Sequence, residues 1–158
     1  MTKTLITVLL LAFGLTACSI DVEANPDGTL TVESVLLEAD MQQSLEYVID
    51  DPNVENLDIE FHDGYASIDA TGTDEHTGDV NNVTFDVRLS VVDGHLGAEV
   101  YNGMWNGHEI PEWIVEAWNE AIARQLEAEG RKDPNSDLVA VSLTDDSLTM
   151  EWLVSDTR

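Results

Sequence analysis

Val83-Thr84-Phe85-Asp86-Val87-Arg88-Leu89-Ser90-Val91 alternates apolar and polar residues without a break. A period of two places Val83, Phe85, Val87, Leu89 and Val91 on one face of a strand, with one side dry and the other wet. Asp93-Gly94 marks a tight turn behind it. His95–Trp105 then returns with Leu96, Ala98 and Val100 on the matching face. The same unit occurs upstream. Leu57, Ile59 and Phe61 alternate with Asp58, Glu60 and His62, Asp63-Gly64 turns the chain, and Ala66, Ile68 and Ala70 come back along one face. Two hairpins of this kind dictate an antiparallel sheet.

On either side of these strands the apolar spacing changes to that of a helix. Leu37, Met41, Leu45, Val48 and Ile49 predict one over 35–49, ended by Asp51-Pro52. Pro111, Glu112 and Glu116 open a second over 111–129, and Gly130 closes it. Its apolar residues are Trp113, Ile114, Ala117, Trp118, Ala121, Ile122 and Leu126. A brief strand at Thr29–Val32 precedes the first helix. Val139–Leu143 and Leu148–Val154 form a final pair of strands around Asp145-Asp146. The expected order is β-α-β-β-β-β-α-β-β. The fold class is α+β: a curved antiparallel sheet of about six to seven strands, its apolar face covered by two helices.

The N-terminus concerns the address. Lys3 is followed by an apolar run from Leu5 to Leu15, too short to span a bilayer, which takes about 20 residues. The run has the form of a secretory signal ending in small residues. Leu15-Thr16-Ala17-Cys18 resembles the lipobox of bacterial lipoproteins. That resemblance implies cleavage before Cys18 and covalent acyl chains on it, the chain's single Cys. Two or three acyl chains anchor stably where one is marginal, at about 0.8 kcal/mol per CH₂. The expected organisation is a signal peptide at 1–17, a polar tether at 18–28 and a single domain at 29–158. The expected location is the bacterial cell envelope, at the outer face of the cytoplasmic membrane or at the outer membrane.

Composition narrows the partners. The chain of 158 residues carries 32 Asp+Glu against 6 Lys+Arg, a formal net charge of −26. Such a surface repels nucleic-acid phosphates and anionic lipid headgroups, so contact with the membrane is expected through the anchor only. Loss of Lys3 with the signal peptide makes the balance one charge more negative.

A second resemblance covers most of residues 29–154. Leu36-Leu37-Glu38-Ala39-Asp40-Met41-Gln42 resembles the opening of the first helix in small bacterial lipoproteins of the tubular lipid-binding (TULIP-like) type. Leu37 stands where that family has Thr or Ser, so a capping hydroxyl is lost. The hairpin from Val91 to Val100, the Gly107…Ile110-Pro111 step and the closing Val141–Met150 hairpin are similar to the family's second half. The resemblance implies an apolar groove between sheet and helices that holds a lipid or other hydrophobic small molecule. Leu37, Met41, Leu45, Ile114, Trp118 and Ile122 would line it.

The residues themselves leave two functions open. One is a membrane-anchored lipoprotein that binds such a ligand. The other is a structural or accessory envelope lipoprotein with a filled core and a protein partner. Enzymatic chemistry is not expected. His62, His76, His95 and His108 form no metal-ligand pair, no Gly-x-Ser-x-Gly elbow occurs, and no cofactor motif is present. Asp133-Pro134-Asn135-Ser136-Asp137 has calcium-loop spacing, but Leu138 and Thr144 stand where Gly and Glu are needed.

Overall fold

A computed structural model of the chain describes residues 19–48, 54–131 and 134–155. Among these residues it is an α+β fold of nine strands and two helices. The elements run β1 (Ser19–Ala24), β2 (Leu30–Leu37), α1 (Glu38–Val48), β3 (Asn56–His62), β4 (Tyr65–Thr73), β5 (Val80–Val92), β6 (His95–Trp105), β7 (His108–Glu109), α2 (Glu112–Gly130), β8 (Ser136–Leu143) and β9 (Ser147–Val154). The strands divide between two antiparallel sheets where one was expected. One sheet has the order β1-β2-β9-β8, the other is the meander β3-β4-β5-β6-β7.

The meander follows directly from the alternating sequence. Ile59, Ile68 and Phe85 lie side by side across three strands, and Phe61, Ala66, Val87 and Val100 across four. All seven are buried. At the β5–β6 turn both Asp93 and Gly94 take positive φ (50° and 76°), the backbone that a two-residue hairpin of this twist requires. Asn106-Gly107 does the same between β6 and β7. A bulge in β6 leaves Asn102-Gly103 opposite Phe85, with Asn102 at φ 54°.

The N-terminal segment departs from expectation. Residues 19–24, read as part of a tether, are a strand paired to β2 from Ser19↔Val35 to Ala24↔Leu30. The turn between them is closely bonded. The Asn25 amide donates to the Thr29 and Thr31 hydroxyls, at 2.9 and 3.0 Å. The Asp27 carboxylate accepts from the hydroxyl and the backbone N–H of Thr29, at 2.7 and 3.0 Å. Those bonds, the hydroxyl foremost, hold the Asp27 pKa below its usual value. The strand at Thr29–Val32 is also longer than expected. β2 runs through Leu37, and α1 begins at Glu38. Pairing with β9, from Leu30↔Val154 to Leu37↔Ser147, holds 35–37 extended. The missing cap at Leu37 offers no competing reason to start a helix there. Residues 49–53, where the first helix was expected to end, and Asp133 of the calcium-like loop lie outside the described residues.

Each helix serves one edge of the meander. From α1, Gln42 accepts the Ile59 N–H (2.9 Å) and donates to the Leu57 C=O (2.5 Å), while Glu38 accepts the Phe61 N–H (2.7 Å). From α2, Asn119 accepts the Val100 N–H (2.7 Å) and donates to the Val100 C=O (2.9 Å). A side-chain amide thus imitates the next strand at β3 and again at β6, so polar backbone covered by a helix keeps its partners. β8 meets the meander at its hairpin tips. The Leu138 N–H donates to the Gly94 C=O (2.7 Å), and the Gly64 N–H donates to the Leu143 C=O (3.0 Å). Buried residues of both sheets and both helices form a continuous core.

Candidate functional site

The residues expected to line a groove do not share one environment. Leu37 is the last residue of β2 and is 45% exposed, on the opposite face from buried Leu36. Met41 of α1 is 0% exposed and Ile122 of α2 is 1% exposed. Ile114 and Trp118 are half-buried and pack on the core, with Trp118 meeting Phe85 edge-on at 6.1 Å between ring centres. The backbone of Leu45 lies in α1, but its side chain is outside the described set, as is the whole of Cys18. Met41, Ile114, Trp118 and Ile122 therefore belong to one core, and Leu37 does not join them.

The local reason is visible in α2. Ile114, Trp118, Ile122 and Leu126 recur every four residues and make a single inward stripe. The expected apolar face was wider. Trp113 is 69% exposed and Ala117 is exposed, so both fall outside it. Gly103 lets Ile110, just ahead of α2, pack closely on β6. A Cβ there would stand 3.2 Å from Cδ1 of Ile110 and 3.5 Å from Val115.

A lining that admits even a water-sized probe keeps measurable accessible area. Met41 and Ile122 keep essentially none, which is the behaviour of interdigitated core side chains.

The outer face of the meander carries an open cleft of about 480 Å³, lined by Asp58, Glu60, Ser67, Asp69, Thr84, Asp86 and Asn102 among others. Alternation puts these residues on the wet side of the strands whose other face fills the core. Asp86 accepts from the Ser67 hydroxyl (2.8 Å) and the Asn102 amide (2.7 Å), and Asp69 accepts from the Asn82 amide (2.6 Å). Next to the cleft, Tyr65 stacks on His62 (4.6 Å) and meets Tyr101 edge-on (6.4 Å). Arg88 lies 4.8 Å over the Tyr101 ring and 3.6 Å from Glu99. The face is acidic and aromatic, with Asp69 and Asp86 held by neutral donors. Among the described residues no group of three or more His, Cys, Asp or Glu is placed to hold a metal ion. No helix among them is long and apolar enough to cross a membrane.

Sequence reasoning missed three features. Asn106-Gly107 is a strong hairpin signal and explains β7. Ile20-Asp21-Val22-Glu23 before Pro26-Asp27-Gly28 is a strand–turn signal, hidden by its brevity. The edge-capping roles of Gln42 and Asn119 had no local signature, because their partners lie on other strands. The chain matches no protein-family model, no curated protein and no solved structure.

Proposed function

We propose that the protein is an accessory lipoprotein of the bacterial envelope, anchored through acyl chains on Cys18, with a filled interior and a surface that engages a protein partner. The observation that supports this reading is the burial of Met41 and Ile122 in one continuous core, at 0% and 1% exposure. A hydrophobic cargo needs apolar walls that do not meet one another. These side chains have no accessible wall left. The anchor rests on Leu15-Thr16-Ala17-Cys18 and on the short apolar run before it. It also gives the only thiol a chemical use.

With β1 beginning at Ser19, an acylated Cys18 would join the folded domain to the membrane with no spacer. A strand advances about 3.3 Å per residue, so β1 would stand close to the headgroups. The acidic surface would keep the rest of the domain off anionic lipid.

Mass spectrometry of the protein extracted from its membrane tests both parts. The expected denatured mass is that of a chain starting at Cys18 plus acyl groups. The expected native mass shows no additional lipid. A native mass raised by a stoichiometric lipid that denaturation releases would favour the groove. An unacylated chain would refute the anchor.

A further inference from the structure

Sheet edges are sites of association unless something covers them, because they present unpaired N–H and C=O groups. Four long strands face outward, β3, β6, β8 and β1, and three of them have partners on that side. Gln42 and Glu38 bond to β3, Asn119 and the two-residue β7 bond to β6, and the Gly94 and Gly64 turns bond to β8 at Leu138 and Leu143. The fourth is β1. Among the described residues it pairs with β2 alone, and all six of its residues are exposed.

The face of this sheet also outruns its cover at β1. Leu138, Trp152, Val32 and Val22 lie in register across β8, β9, β2 and β1. Leu138 is 1% exposed, Trp152 and Val32 are half-buried, and Val22 is 56% exposed. Beside Val22, Ile20 is 65% exposed. The opposite face is acidic at the same edge. Asp21, Glu33 and Glu151 stand side by side on three neighbouring strands, and Glu23 follows on β1. Like charges in direct cross-strand positions repel.

We propose that β1 is a docking edge that takes an added strand from a partner polypeptide whose residues alternate apolar and cationic. Backbone bonding would extend the sheet, apolar side chains would cover Ile20 and Val22, and Lys or Arg would stand opposite Asp21 and Glu23. A second copy is the poorer occupant. Antiparallel self-pairing would set Asp21 and Glu23 against the same acids of the other chain, between molecules of net charge −26. The acids that blunt the edge toward its own kind thus select a basic strand. The proposal rests on the reading that the protein acts through its surface, and it names the surface and the chemistry of the partner.

The test uses the full chain in non-ionic detergent and a labelled, end-capped peptide alternating Lys and Val, with a Glu/Val peptide as control. Salt is kept near 0.15 M, where the Debye length is about 8 Å and diffuse attraction is damped. The Lys/Val peptide should bind saturably and slow amide exchange across residues 19–24. Combined Asp21→Lys and Glu23→Lys should weaken it by roughly tenfold or more and make the Glu/Val peptide the preferred ligand. If the variant fails to fold, amide protection in the wild-type chain decides alone. Absent binding, binding indifferent to the charge reversal, or protection located elsewhere overturns the proposal. Self-association through β1 does so too, by assigning the edge to a second copy. Native mass spectrometry of the same sample reads lipid cargo separately, so loss of the surface reading and loss of the docking edge are told apart.

Discussion

Replacing Asn119 with Leu would remove both bonds that α2 makes to the backbone of Val100. The N–H and C=O of Val100 would then face an apolar side chain at a residue only 2% exposed. A buried polar group left without a partner costs about 1–3 kcal/mol. Two such groups, eased by some water entry at the sheet edge, give an expected loss of about 2–4 kcal/mol. Against a typical domain stability of roughly 5–15 kcal/mol this is a large fraction. The sign is diagnostic, because Leu is the better helix former by a few tenths of a kcal/mol. Propensity alone would make the variant slightly more stable. Urea unfolding supplies the free energy, and amide exchange at Val100 supplies the location. Melting should fall by on the order of 10 °C. A variant as stable as wild type, with unchanged exchange at Val100, would refute the idea that the helices hold the meander by capping its edges.

Melting temperature should rise by a few degrees between low and moderate NaCl, at roughly 2–4 °C per kcal/mol for a domain of this size. The ion pairs among the described residues, Arg88–Glu99, Arg124–Glu120 and Arg131–Glu127, are all exposed and leave most acids unpaired. A flat or falling calorimetric curve would contradict this. Gly103→Ala should cost up to about 1 kcal/mol in urea unfolding, since its Cβ would stand 3.2 Å from Cδ1 of Ile110, which must give way by a few tenths of an ångström beside the β6 bulge; a gain in stability would mean that Ile110 is free to move. Cys18→Ser should abolish labelling of the protein by a fatty-acid analogue in cells, and equal labelling of both chains would refute the lipobox reading.

The first four strands of the meander were legible because they alternate and both of their tight turns carry Asp-Gly, which are local properties of the chain. The division into two sheets was not. The β8–β9 hairpin was expected, but nothing within β2 says that it pairs with β9 and leaves the meander as a separate open sheet. β1 was lost for a related reason. Three apolar residues interleaved with two acids look like a tether until Val22 and Val32 are seen in register. The helix faces were half legible. The stripe of Ile114, Trp118, Ile122 and Leu126 could be read from spacing alone, but Trp113 could not be placed in solvent without knowing where β6 lies. Burial decided the candidate groove residues differently from one another, because side chains that share a helical spacing need not share an opening. Leu37 shows this most plainly, since β pairing turns it outward while Leu36 goes in.

The filled interior is tested most directly at Ile122. Urea unfolding of wild type and Ile122→Trp should be measured alongside titration with a fluorescent fatty acid. A packed core predicts no saturable dye binding to wild type and a loss of about 1–3 kcal/mol from overpacking by the larger ring. Saturable binding to wild type, abolished by an Ile122→Trp variant that remains as stable, would contradict the account and place a hydrophobic ligand between the sheets and the helices.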